Sequence, residues 1–264
     1  MKGEIYNSKK FYVFLSVLAI LDVALVLHVC LSYEKIIRPI LPRLIAEDKI
    51  GNTISGANWL AYFTILSNVL TSVWFLAWSA GRLLKINALI RISEYTPLAV
   101  CVTLYIFATG LLYAFSTAFG MRWFDVGDGG AIMNNVANVY QHFIVPPITL
   151  AIFFTMPIRR IYSAKYTAVA AMIFPMAYLS FSLIRGKIIN WYAYPIFRPE
   201  TLWEKVCPGK NYKFAPAAAL LFFEMVALAA GFFVVAYVMT SIENKRFLKE
   251  DEIRKEKEFY ENAA

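Results

Sequence analysis

A hydroxyl, an imidazole and two carboxyls stand in stretches of this chain that hold almost no other charge. Thr64 opens a polar stripe of Thr64, Ser67, Asn68 and Thr71, whose offsets put all four on one helix face. His142, one of two histidines, shares a face with Asn135 and Asn138, and that face runs on through Pro146 and Thr149. Asp22 and Glu224 are each the sole charge of a long apolar run, residues 11–33 and 214–242. A threonine hydroxyl attacks a carbonyl only when a base takes its proton. His142 is the base on a polar helix face, and Glu224 or Asp22 is the group to orient it in triad logic. The Asn68 amide is a donor for a developing oxyanion. That set suits acyl transfer or ester hydrolysis on a lipid that enters sideways from a bilayer. The same spacing has a second reading, with Ser, Thr and Asn as interhelical glue and His142, His28 and Asp22 as buried structural groups.

The elements that must position these groups are membrane spans. The chain has 264 residues, 59% of them hydrophobic, with 17% charged and a mean hydropathy of +0.55. No charge occurs in residues 50–81, 95–121, 129–158 or 166–184. A span takes about 20 mostly apolar residues, so six are expected, near 11–31, 58–79, 95–118, 139–157, 166–184 and 216–240. The predicted fold is an all-α membrane protein, a six-helix bundle over residues 1–240 with a charged helical tail over 241–264. Short alternating segments, as in a β-barrel, are missing.

The net charge of +8 does not point to nucleic acid, because the basic residues sit at span ends, where they set topology and meet anionic headgroups. With the N-terminus inside, the inner segments carry 15 of the 26 Lys and Arg, which favours an N-in, C-in arrangement. The first span is too long for a cleavable signal and carries Asp22, so it reads as a permanent helix. Spans two, four and six start on the side where one, three and five end. Thr64, His142, Glu224 and His28 therefore fall within a layer on the order of 10 Å thick, at about 1.5 Å rise per residue. The loop over 185–215, with Arg185, Trp191, Tyr192 and Tyr194, covers that side as an aromatic lid at headgroup level. The loop over 32–57 reads as an interfacial segment, and the Asp/Gly run at 125–130 as a turn, since its spacing does not fit an EF-hand. Of three cysteines, Cys101 reads as a small buried hydrophobe, while Cys30 and Cys207 share a side and admit a disulfide there. Two histidines without ligand-spaced partners argue against a metal site, and no phosphate-binding Gly loop or other cofactor motif is present.

At Tyr62-Phe-Thr64-Ile-Leu-Ser-Asn68 and His142-Phe-Ile-Val-Pro146 the chain resembles the androgen-induced and androgen-dependent integral-membrane hydrolases and their bacterial multi-pass relatives. Ser182-Leu-Ile-Arg185-Gly186 followed by Trp191-Tyr-Ala-Tyr194-Pro195 resembles the bacterial branch. The match covers most of spans two to five in order, with Ala193 and Arg198 departing from the bacterial pattern, which has Pro and Asp there. The resemblance implies an intramembrane ester hydrolase with Thr64 as nucleophile and His142 as base. Its substrates would be fatty-acid esters of hydroxy fatty acids or similar lipids. Ser67, Asn68, Asn138, Arg185, Glu224, Trp191, Tyr194, Asp22 and His28 would support or bind substrate. An integral protein of the cell (inner) membrane follows. Two other readings use the same residues: a transporter or lipid-binding protein whose polar side chains line a cavity, and a scaffold whose tail recruits partners.

Overall fold

The computed structural model describes residues 8–32, 61–118, 131–157, 160–189, 192–194 and 197–263. Among these every regular element is helical. Helix α1 spans Lys9–Ser32, α2 Phe63–Leu84, the short α3 Asn87–Ser93 and α4 Thr96–Ala118. Helix α5 (Ala131–Val139) runs through a π-helical turn, Tyr140–Ile144, into α6 (Val145–Thr155). Helix α7 covers Ala164–Ile189, the short α8 Pro199–Val206, and α9 Phe214–Ala263. Six of these segments are long and apolar enough to cross a membrane, so the six-span reading of the sequence stands. Trp191, the 33–57 part of the interfacial loop and the turn at 125–130 lie outside the described residues. Cys101 and Cys207 carry free thiols, and the side chain of Cys30 also lies outside.

Contacts fix how the spans alternate. Helix α1 runs antiparallel to α2, because Val26 packs by Ile65, Asp22 meets Ser72, and Tyr12 lies on Trp78. Helix α4 returns along α2, with Glu94 at the Trp78 end and Thr109 opposite Ser67. The α5–α6 segment then lies on α4, and α7 and α9 close the bundle over Phe63 and Tyr105 through Phe174, Tyr178 and Phe232. The Trp78 end is stapled. The Trp78 indole donates to the buried Glu94 carboxylate at 3.0 Å, Arg82 pairs with the same oxygen, and the Trp74 indole donates to the Ser93 carbonyl at 2.9 Å. A buried charge is tolerated only with such company.

One boundary differs from the sequence reading, and its cause is tertiary. The second span was expected from residue 58; helix α2 begins at Phe63, which makes Thr64 its second residue. Tyr62 is extended (φ −91°, ψ 122°) and gives no side-chain cap. The polar groups of this entry are met from elsewhere. The Tyr178 hydroxyl donates to the Ala61 carbonyl at 2.6 Å, and the Tyr194 hydroxyl accepts from the Thr64 N–H at 3.3 Å. At the other end of the chain, α9 is one helix of 50 residues that continues through position 240 without a break. Its Glu243 is buried, Asn244 bonds both backbone groups of Tyr162 (3.1 and 2.8 Å), and Arg246 caps the Phe154 and Met156 carbonyls at the end of α6. These carbonyls have no intrahelical donor, and a cation there also complements the helix dipole.

Candidate functional site

Thr64 stands on the first turn of α2, half-buried, with its hydroxyl 3.1 Å from the Tyr194 hydroxyl. The rest of its stripe is fully buried. Ser67 donates to the Thr64 carbonyl at 3.0 Å and meets the Thr109 hydroxyl of α4 at 2.8 Å. The Asn68 amide also donates to the Thr64 carbonyl, at 2.8 Å, and Thr71 donates to the Ser67 carbonyl at 2.9 Å. Below Thr64, then, the stripe serves its own helix backbone and the α4 seam, as interhelical polar groups in membranes do. Asn68 still keeps one unpartnered atom, its Oδ1.

His142 owes its setting to two prolines. Pro146 and Pro147 have no N–H, so the carbonyls of His142 and Phe143 lose their usual i+4 donors. The helix widens to a π turn here, with the Val145 N–H reaching back five residues to the Tyr140 carbonyl. The freed His142 carbonyl points at Gly110, where an added Cβ would sit only 2.8 Å away. Only glycine lets α4 come so close. The imidazole lies flat on Tyr113, ring centroids 3.9 Å apart and 12° from parallel, beside the Thr109 backbone. Its Nδ1 has no hydrogen-bond partner among the described residues, although the side chain is buried.

Thr64 and His142 therefore flank one seam. Ser67, a turn below Thr64, touches the Thr109 hydroxyl, and His142 stands against the Thr109 backbone. No hydrogen bond joins Thr64 to His142 among the described residues, since the Thr64 hydroxyl is taken by Tyr194. The other expected groups are spread more widely. Asp22 lies at a junction of α1, α2 and the π turn: it accepts from Ser72 at 2.6 Å, its Oδ1 is unpartnered, and Tyr140 bonds the Leu18 carbonyl one turn away at 2.8 Å. Glu224 has Lys205 of α8 as its charged neighbour, not His142. Asn138, Arg185 and His28 are half-buried near the ends of their helices. Among the described residues, Tyr194 is the loop residue that hydrogen-bonds Thr64.

Sequence reasoning missed Tyr178, which shapes the entry to α2 and packs on Phe63 at 5.2 Å. One tyrosine among 16 in an aromatic-rich chain carries no separate signal. It also missed why Gly186 precedes the aromatic loop. A Cβ there would run into the Tyr192 ring, so only glycine leaves room for that ring to sit on α7. No family model, curated protein or solved structure matches the chain.

Proposed function

We propose that this chain is an integral membrane hydrolase of lipid-like esters, such as fatty-acid esters of hydroxy fatty acids, with Thr64 as nucleophile and His142 as general base. The protein sits N-in, C-in in the cell membrane, and the segment over 185–215 covers the Thr64 side. The reading is supported chiefly by one observation: a buried imidazole with an unpartnered Nδ1 stands against the Thr109 backbone, and the Thr109 hydroxyl bonds Ser67, one turn from the half-buried Thr64. An unpartnered buried polar atom is costly, and such atoms gather where function needs them.

In this scheme the Thr64 hydroxyl turns from Tyr194 by a change of χ1, for which threonine in a helix has two favoured values. Its proton passes to His142 as Oγ1 bonds to the ester carbonyl carbon. The tetrahedral intermediate collapses as His142 protonates the departing alcohol. Water, deprotonated by the same imidazole, then releases the acid and restores Thr64. The free second hydrogen of the Asn68 amide is one donor available near the nucleophile. Thr64→Ala and His142→Ala should each abolish labelling by a hydroxyl-directed activity probe while the protein still elutes as a folded species. Undiminished labelling of both variants would discard the mechanism.

A second reading has its own observation. The Thr64 hydroxyl bonds Tyr194 and not His142, as expected if these groups line a binding or transport cavity. Purified protein that binds acyl lipids tightly yet leaves their ester bonds intact would favour it.

A further inference from the structure

We propose that Tyr194 is a latch on the Thr64 site, its hydroxyl displaced by the carbonyl oxygen of an entering acyl lipid. The inference rests on the reading that Thr64 faces the ligand, and it adds how access is controlled.

The phenol oxygen does two things at once. It accepts from the Thr64 N–H at 3.3 Å, with the Phe63 N–H also directed at it, and it bonds the Thr64 hydroxyl at 3.1 Å. Helix α2 has no side-chain cap of its own; its Phe63 N–H also faces the Tyr178 hydroxyl, while the Thr64 N–H is met by the Tyr194 oxygen. Leaving the Thr64 N–H bare in a dry site is unfavourable. The latch therefore opens readily only when another acceptor takes its place. An ester or carboxyl oxygen is such an acceptor, and it would arrive beside the hydroxyl that Tyr194 gives up.

Residues on either side of Tyr194 are anchored. On one side the Tyr192 ring is seated on Gly186 at the end of α7. On the other, Phe197 N–H closes a turn onto the Tyr194 carbonyl at 3.0 Å, and α8 follows with Lys205 beside Glu224 of α9. Between these anchors the Tyr194 ring is held edge-on by Tyr62 and Phe197, both at 5.8 Å. Such contacts can be exchanged for others without unfolding a helix.

The test reads access to position 64 and needs no turnover. In full-length protein with Cys30, Cys101 and Cys207 changed to alanine, Thr64→Cys is alkylated with N-ethylmaleimide in lipid nanodiscs. Adding Tyr194→Phe should raise the alkylation rate about five- to tenfold, the shift expected on losing one net hydrogen bond. Tyr212→Phe, an exposed tyrosine, should not change it. Gly186→Ala, which unseats Tyr192 and leaves every hydroxyl in place, should also raise it and covers the case in which Tyr194→Phe fails to fold. Equal rates in the folded latch variants would overturn the proposal. Faster alkylation with no probe labelling of the native protein would keep the latch and discard the hydrolase. Equal rates with Thr64-dependent labelling would do the reverse.

Discussion

His142 and Tyr113 form a nearly parallel stack, ring centroids 3.9 Å apart and 12° from coplanar. The stack joins the π turn to α4 and fixes the plane in which the Nδ1 lone pair or proton points. A tyrosine one turn from Thr109 thus sets the orientation of the imidazole, a role that a carboxylate holds in the usual triad.

The stack predicts a clean split between ring and hydroxyl. Tyr113→Phe should leave thermal stability nearly unchanged, while Tyr113→Leu should lose about 0.5–1.5 kcal/mol for the aromatic pair. On the proposed hydrolase reading, Tyr113→Leu should lower kcat for ester turnover more than Tyr113→Phe does. Unfolding in detergent micelles and steady-state rates with a fluorogenic ester measure the two effects. Equal losses in both variants would mean that the ring does not orient the imidazole.

Two glycines should respond oppositely to alanine. At Gly110 a Cβ meets the His142 carbonyl at 2.8 Å and Pro146 Cγ at 2.9 Å, so Gly110→Ala should cost about 1–3 kcal/mol through overpacking. At Gly231 nothing lies within 4 Å, and Gly231→Ala should stabilise α9 by about 0.5–1 kcal/mol from helix propensity. Paired thermal melts decide it, and the prediction fails if the two shifts share a sign.

Arg246 and Glu243 should behave as a unit. Arg246 caps the Phe154 and Met156 carbonyls and lies 3.1 Å from the buried Glu243 carboxylate. Removing one member of a buried pair destabilises by up to about 3–5 kcal/mol, because the other charge loses a partner. Arg246→Met alone should therefore destabilise strongly, and adding Glu243→Gln should recover much of the loss. A double-mutant cycle with additive losses would show that the pair is not coupled.

Asp22 makes the contrary case. Its carboxyl accepts from Ser72, and among the described residues it forms no ion pair. A charge without a counter-ion at this depth is a cost that a neutral isostere lifts. Asp22→Asn should keep or raise the melting temperature, whereas Ser72→Ala should lower it by about 0.6 kcal/mol equivalent, the average for an interhelical hydrogen bond in a membrane. A lower melting temperature in Asp22→Asn would reveal a need for the charge.

The spans were legible because charge is excluded from hydrocarbon whatever the packing, and the gaps between charged residues mark them. The Pro146–Pro147 pair is legible as two missing N–H donors, and the π turn lies where their carbonyl partners are freed. The start of α2 was not legible. It depends on hydroxyls 117 and 130 residues away, which reach Ala61 and Thr64 only after the bundle has formed. Depth could be counted from the sequence, so Thr64 and His142 were assigned to one layer. The rotation of each helix about its axis could not, and rotation gives Glu224 to Lys205 and the Thr64 hydroxyl to Tyr194.

The unbroken final helix has a mechanical consequence. At about 1.5 Å per residue its 50 residues make a rod about 75 Å long, while the hydrocarbon of a bilayer is about 30 Å thick. Glu224 lies beside Lys205 of α8, and Arg246 grips the end of another span about 33 Å along the same rod. A stiff beam pinned at both points is a lever, so a tilt imposed at one membrane surface must register at the other.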